Sequence, residues 1–352
     1  MSEERARIYP MSRPAGQVPP IARYSSRFDH APGRLAVLFV GMAAADESLA
    51  ARALSDFLAA ALAAPDAPKH LDRAAFTDLA GRGNRMAALY WPDRAAYVRW
   101  LEAPEVAAWR GGSRARAEDF GQWWEPVSVA PERAETIAFA EYRRGLSGCP
   151  FSRLEQMDET GYWGAARDRI PASAWDRLDG DVARLVPLGA MPQTRGARLA
   201  VRPPAGLAVI RSGVSWAACG PEQRDSYERN VRPKLDAGMD YLRRNPCEAG
   251  CPALRQVRLT DAAGAPLEEA YSLGHFLSLG HLEAWAMHHP THLAIYHRAL
   301  AERRKYQEAL ELRTYNEIYV LDPDAPDFEY VNCDPRTGLL GYFPARVLEP
   351  AG

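Results

Sequence analysis

Four histidines fall within ten positions of AWAMHHPTHLAIYHR, residues 284–298: His288, His289, His292 and His297. The whole 352-residue chain has eight, and His275 and His281 lie just upstream. Crowded imidazoles raise the question of a metal. His288 and His292 have the H-x3-H spacing of zinc proteases, but position 289 is a second histidine where such a site needs its general-base glutamate, and Pro290 interrupts the helix the pattern requires. A facial iron triad needs a carboxylate partner, and none stands out. A single axial ligand to haem iron asks for less: one histidine on an apolar face. A satisfied core histidine has the same helical signature, so spacing alone leaves both readings standing.

Pro290 suits the first turn of a helix, where its missing N–H costs nothing. The helix is expected to run to about residue 308. At 3.6 residues per turn His292 shares a face with Ile295, Tyr296, Ala299 and Leu300, an apolar face expected to be buried. His297 falls on a wetter face with Ala301 and Arg304, and His288 and His289 sit in the corner before the proline.

The elements that must hold this helix come in two similar runs. In the first, RLAVLFVGM reads as a strand, residues 46–64 as an Ala-rich helix, RMAALYW as a strand, and the stretch after it as two short helices, the second opening at Pro104. In the second, GLAVIRSG is a strand, residues 221–244 a long polar-faced helix, EEAYSLGHF a strand, and residues 278–311 two helices parted near Pro290. Trp100 stands four positions before Pro104 and Trp285 five before Pro290, each after a strand ending in an aromatic, Trp91 or Phe276. This is an internal duplication with a mostly antiparallel sheet, hence α+β. Further strands are expected at TIAFAEY, LRTYNEIYVLD and DFEYVNC. The division expected is an N-terminal arm over residues 1–30, a first half over 31–130 and a second half over 131–352 that carries the site.

Bulk properties bound the function. At 47% hydrophobic and 25% charged residues the chain reads as globular, and a net charge of −2 favours neither nucleic acid nor an anionic membrane. The longest apolar run, eleven residues from Leu35, falls short of the roughly 20 that span a bilayer. The first residues lack the pattern of a secretory signal. Five scattered cysteines point to reduced thiols in a cytoplasm, with Cys247 and Cys251 of CEAGC read as loop thiols. P-loop, Rossmann and nucleophile-elbow signatures are missing.

Several segments, in order, resemble the haem-containing aldoxime dehydratases (the phenylacetaldoxime dehydratase family). HPTHLAI, residues 289–295, is similar to the family's proximal motif, which makes His292 the iron ligand. GYWGAARDRIP (161–171) carries the distal arginine at Arg169, LAVIRSGVSW (207–216) the serine at Ser212, and AETIAF (134–139) the pocket glutamate at Glu135. FEYVNCDPRTGLL (328–340) is similar to the C-terminal block. The resemblance implies non-covalent haem b, ferrous when active, a homodimer, duplicated ferredoxin-like units forming a dimeric α+β barrel, and dehydration of R–CH=N–OH to a nitrile and water.

One position departs. In the segment LRTYNEIYV the family has a catalytic distal histidine where this chain has Asn316; Leu312, Arg313, Tyr315, Glu317 and Val320 keep the alignment in register. An amide does not titrate near neutral pH and cannot relay a proton. By resemblance Ser212 holds the oxime oxygen, and Arg169 stabilises developing charge or pairs with a haem propionate. Glu135 is the candidate substitute acid, on condition that burial raises its pKa. The competing readings are a haem enzyme of altered chemistry on another N–O or N–N substrate, and a haem-binding or sensor protein without catalysis.

Overall fold

The apolar run Leu35–Ala44 is buried at every position because both of its faces are covered. Leu35, Val37 and Phe39 point into one core, and Ala36, Leu38 and Val40 into another, the period-two division of a strand between two packed layers. The helix Glu47–Ala63 covers the second side through Ala50, Leu54, Phe57 and Ala61. Asp46 starts it by accepting a hydrogen bond from Ser48 N at 2.9 Å. This computed structural model describes residues 6–28 and 33–351; residues 1–5, 29–32 and 352 lie outside the described residues, and with them both ends of the expected arm.

The strands are β1 (Arg23–Phe28), β2 (Leu35–Ala44), β3 (His70–Thr77), β4 (Gly83–Trp91), β5 (Gly121–Val129), β6 (Ala134–Ile137), β7 (Ser152–Met157), β8 (Arg198–Val201), β9 (Ala208–Ser215), β10 (Ala253–Thr260), β11 (Pro266–Phe276), β12 (Arg313–Val320), β13 (Phe328–Val331) and β14 (Ala345–Glu349). β1 pairs with β7, and the other twelve form one sheet in the order β14-β8-β13-β5-β2-β4-β3-β10-β11-β9-β12-β6. Within it β5-β2-β4-β3 and β10-β11-β9-β12 are mirror-ordered copies of one strand–helix–strand–strand–helix–strand unit. They meet edge to edge, antiparallel, where Leu259 of β10 faces Ala74 of β3. The class is α+β, as the sequence implies.

Three details differ from the sequence reading. The expected helix over 221–244 is divided into Pro221–Ser226, a π turn at Tyr227–Val231 and Arg232–Arg244; Pro233 has no N–H to continue the ladder. The strand expected over TIAFAEY is confined to Ala134–Ile137, because Ala138 bridges to Tyr24 of β1 instead. Seven strands, β1, β3, β5, β7, β8, β10 and β14, lie outside the expected ones.

The two units are tied through the inner face of the sheet. Glu125 of β5 accepts from both Nη atoms of Arg255 on β10, each at 2.6 Å, and from Tyr330 Oη at 3.0 Å, with His275 Nε2 of β11 at 3.3 Å. Glu317 of β12 accepts from Tyr90 Oη of β4 at 2.6 Å and from Leu146 N at 2.8 Å, while Arg211 of β9 reaches Asp72 of β3 at 2.7 Å. Glu125 is thus neutralised by Arg255 of the other unit, whereas Glu317 has Arg211 of its own unit at 3.7 Å and takes a hydrogen bond from Tyr90 across the divide, so side chains from both units meet on the inner face of the curled sheet.

Burial pushes His275 down to about 4 although Glu125 pulls the other way. Unfolded, the imidazole takes its proton near the ordinary 6.5. Stability should therefore be level above pH 6.5 from this group and fall as pH drops toward 4, by roughly 3 kcal/mol. Urea unfolding from pH 7 to pH 4 measures the decline, and His275→Gln should remove this part of it.

Candidate active site

The site begins with a carbonyl that loses its partner. The helix Leu279–His288 ends one residue before Pro290, so the carbonyl of Ala286 meets a proline four residues on and finds no N–H. His292, in the first turn of the next helix, Pro290–Tyr306, places Nδ1 at 2.6 Å from that oxygen. A carbonyl only accepts, so Nδ1 carries the proton and Nε2 keeps its lone pair. Burial lowers the pKa of His292, against the opposing effect of the Ala286 bond. The residue is a neutral imidazole whose Nε2 lone pair is free to ligate.

The neighbouring histidines do other work. His289 caps the helix, its Nδ1 at 2.8 Å from Thr291 Oγ1, with its ring stacked 3.8 Å from that of Tyr241. His281 Nδ1 lies 2.8 Å from Ser278 Oγ at the preceding helix start. His288 and His297 are exposed. Among the described residues no three of His, Cys, Asp and Glu stand grouped as a metal site; all five cysteines are free.

Trp285 meets the His292 ring edge-on at 4.7 Å, and Trp163 packs at 4.6 Å on Tyr296 one turn along the helix. In the sequence Trp285 serves only as a marker of the duplication, and Trp163, inside GYWGAARDRIP, carries no signal of its own. The face expected to be buried is only half-buried: His292, Ile295, Tyr296 and Leu300 are partly open and Ala299 is exposed. Among the described residues nothing covers these positions fully, and they are left accessible beside the sheet.

The opposite wall is the outer face of the second unit. Ile210, Ile318, Ile295 and Trp285 pack in one cluster, which identifies the sheet face under this helix. By alternation Ser212 and Asn316 share that face, and they are directly opposite each other across β9 and β12, with Ile137 of β6 next in the row. Ser212 is exposed and Asn316 half-buried, although both lie on interior strands. Tyr315 turns the other way, its ring against Gly213, where a Cβ would strike it.

Glu135 is one step along the same face, paired with Ile318. Its Oε2 accepts from Arg169 Nε at 2.6 Å, and Oε1 is buried without a partner. Arg169 also donates Nη1 to the Glu159 carbonyl at 2.9 Å. The two open on a cavity of about 290 Å³ at the β6 edge. Glu135 is thus buried together with a cation, and as placed it accepts.

The first unit explains why there is one slot. Strand register equates Val40 with Ser212 and Trp124 with Asn316, and counting from the two prolines equates Val106 with His292. Val40, Trp124 and Val106 are all buried, and Phe57 meets Trp124 edge-on at 5.4 Å. The same space that is open in the second unit is filled by an indole and aliphatic side chains in the first.

A model of a haem-containing dehydratase family matches residues 40–339. An aliphatic aldoxime dehydratase of Pseudomonas chlororaphis is 34% identical over 328 residues, which cover 92% of this chain and 91% of that protein. A phenylacetaldoxime dehydratase of Bacillus sp. (strain OxB-1) is 32% identical over 284 residues, 80% of each. The crystal structure of an aldoxime dehydratase in complex with butyraldoxime matches with a TM-score of 0.85 at 32% identity, covering 95% of this chain and 92% of that one. A neutral imidazole backed by a carbonyl, beside aromatic rings and facing an open slot, fits an axial ligand to haem iron.

Purified protein should carry one haem per chain, since only the second unit has room. His292→Ala should lose most of it, whereas His288→Ala and His297→Ala should hold it as the wild type does. Pyridine haemochromogen content per mole of chain measures all four.

Proposed function

The chain belongs to the haem-containing dehydratase family, and on that premise we propose that it is a lyase converting aldoximes, R–CH=N–OH, to nitriles and water at a haem b held by His292. The observation that carries this reading is a histidine with Nε2 bare, on a helix that packs through Ile295 on the sheet face carrying Ser212 and Asn316. When bound, the haem supplies an electron-rich iron centre that weakens the oxime N–O bond.

The chain's own residues supply the rest. Ser212 and Asn316, side by side, offer donors to the oxime oxygen, and Arg169 offers a cationic one for charge developing on the leaving hydroxide. Dehydration removes one proton from the aldehydic carbon and adds one to the departing hydroxyl, so a single group can take the first and give the second. Asn316 cannot. Glu135, whose buried Oε1 has no hydrogen-bond partner among the described residues, is the acid–base group of this reading. The aromatic and aliphatic lining from Trp163, Trp285 and Ile295 suits an apolar substituent R and keeps water from the reacting atoms. The homodimer and the cytoplasmic location belong to the same reading; family resemblance supports the first and five free thiols the second.

The assay is nitrile formation from aliphatic and aryl aldoximes under anaerobic, reducing conditions. The wild type should turn them over. Glu135→Gln should lower turnover by about 10²–10⁴-fold with haem content unchanged, and Asn316→His, which restores an acid–base group beside Ser212, should raise it within the same range. Absence of nitrile from every aldoxime, with haem bound, would sink the reading.

A further inference from the structure

Arg23 is buried with its charge uncompensated. It stands on β1, 8% exposed, and all its hydrogen bonds go to neutral oxygens: Nε to the Ala138 carbonyl at 3.2 Å, Nη2 to the Thr314 carbonyl at 2.8 Å, and Nη1 to Thr314 Oγ1 at 3.5 Å. Phe139 lies under the guanidinium at 4.2 Å. Among the described residues no carboxylate forms an ion pair with it. The charged groups that act on it are Arg169 and Arg303, which repel, and Glu135 and Glu141, which attract. Both carboxylates are already taken, Glu135 by Arg169 at 2.6 Å and Glu141 by Arg313 at 2.7 Å. Among the described residues the side chain of Arg303 bonds to the Pro20 carbonyl alone, at 3.2 Å. Burial and Arg169 push Arg23 down to about 9. A buried cation without a counter-charge is costly, and proteins rarely keep one unless an anion joins it.

The position of these cations says where the anion comes from. Thr314 is two residues from Asn316 on β12, so Arg23 meets the strand at the rim of the slot, on the face that carries Ser212 and Asn316. Arg303 lies eleven residues after His292, which returns it to the same stripe of the helix about 16 Å further along, and long helical side chains lean back toward the N-terminus. The slot therefore has a bare metal ligand toward one end and two uncompensated guanidinium groups toward the other. A haem b has the matching polarity: an iron and an apolar ring, with two carboxylates on one edge.

We propose that Arg23, together with Arg303, binds the propionate carboxylates of the haem, so that cofactor binding clamps the N-terminal segment over the slot. The inference rests on the haem reading above. It extends the pocket to a segment that none of the quoted motifs reaches, and it assigns Arg169 to Glu135 rather than to a propionate. The same carboxylate chemistry could instead come from an acidic substituent on the substrate, and the experiment separates the two sources.

The experiment measures the rate at which haem leaves the reconstituted protein for excess apomyoglobin, using haem b and its dimethyl ester. The wild type should release the ester faster than haem b. Arg23→Gln should release haem b about 10- to 100-fold faster than the wild type, the range of a charge-assisted hydrogen bond, yet release the ester at nearly the wild-type rate. Arg23→Lys should lie between. A wild type that holds ester and haem b equally well overturns the inference without any variant, and so does Arg23→Gln if it releases haem b at the wild-type rate or speeds both cofactors alike. An unchanged haem rate with a raised KM only for aldoximes bearing a carboxylate assigns the anion to substrate and also overturns it. Protein that takes up no haem fails the cofactor reading itself, a result distinct from all of these.

Discussion

Two buried carboxylates govern the architecture. Glu125 and Glu317 occupy matching places on the last strands of the two units, and both face inward, where an uncompensated charge is not tolerated. Glu125 is neutralised by Arg255 of the second unit; Glu317 has Arg211 of its own unit at 3.7 Å and takes a hydrogen bond from Tyr90 of the first, and Arg211 in turn pairs with Asp72 across the same divide. The units must therefore close on each other, and the sheet must curl so that β5 meets β10 and β4 meets β12. Replacing one partner of such a group by an apolar side chain leaves a charge stranded, an effect of about 3–5 kcal/mol. This constraint fixes which face of each strand is inside, and with it which face is left for the helices.

The outer faces then diverge. Both units lay a helix pair over the sheet, but in the first the space between is filled by Trp124, Val40 and Val106, with Phe57 against the indole. In the second the residues equivalent to the first three are Asn316, Ser212 and His292, short or polar and partly accessible. A slot arises here by subtraction: the fold is common to both units, and a few side chains decide which one is packed and which can take a ligand. That the open positions hold a hydroxyl, an amide and an imidazole gives the slot its chemistry as well as its volume.

The imidazole is prepared by a backbone consequence of proline. Because residue 290 has no N–H, the Ala286 carbonyl is free to fix the His292 tautomer. The same proline begins the helix that carries His292, so one residue sets the direction and the tautomer of the imidazole that the proposed function makes the iron ligand. The histidine crowding that marks the sequence is mostly unrelated to this: His289 and His281 stabilise helix starts, and His288 and His297 face solvent.

Much of this was legible in the linear chain. The helix after Pro290, the duplication and the antiparallel α+β class follow from periodicity and from the spacing of tryptophans and prolines, because such signals are local. The resemblance of short segments pointed to His292, Ser212, Asn316, Glu135 and Arg169. β3, β5 and β10 escaped notice for one reason: Asp72, Glu125 and Arg255 break the apolar alternation of their strands, and a buried charge is intelligible only when its partner, some 130 residues away for Glu125 and Arg255, is known to stand opposite. The half-open state of the His292 face depends on how far a helix stands from a sheet, which no pattern of residues encodes. The place of Arg23 at the slot depends on where a β1 strand lands after pairing with β7, more than 120 residues later. Sequence determined the helix after Pro290 and the locally patterned strands, which depend on neighbours along the chain, and by resemblance named the candidate site residues; the tertiary structure alone decided which charges meet and which side chains stay accessible, since both depend on residues that only folding brings together.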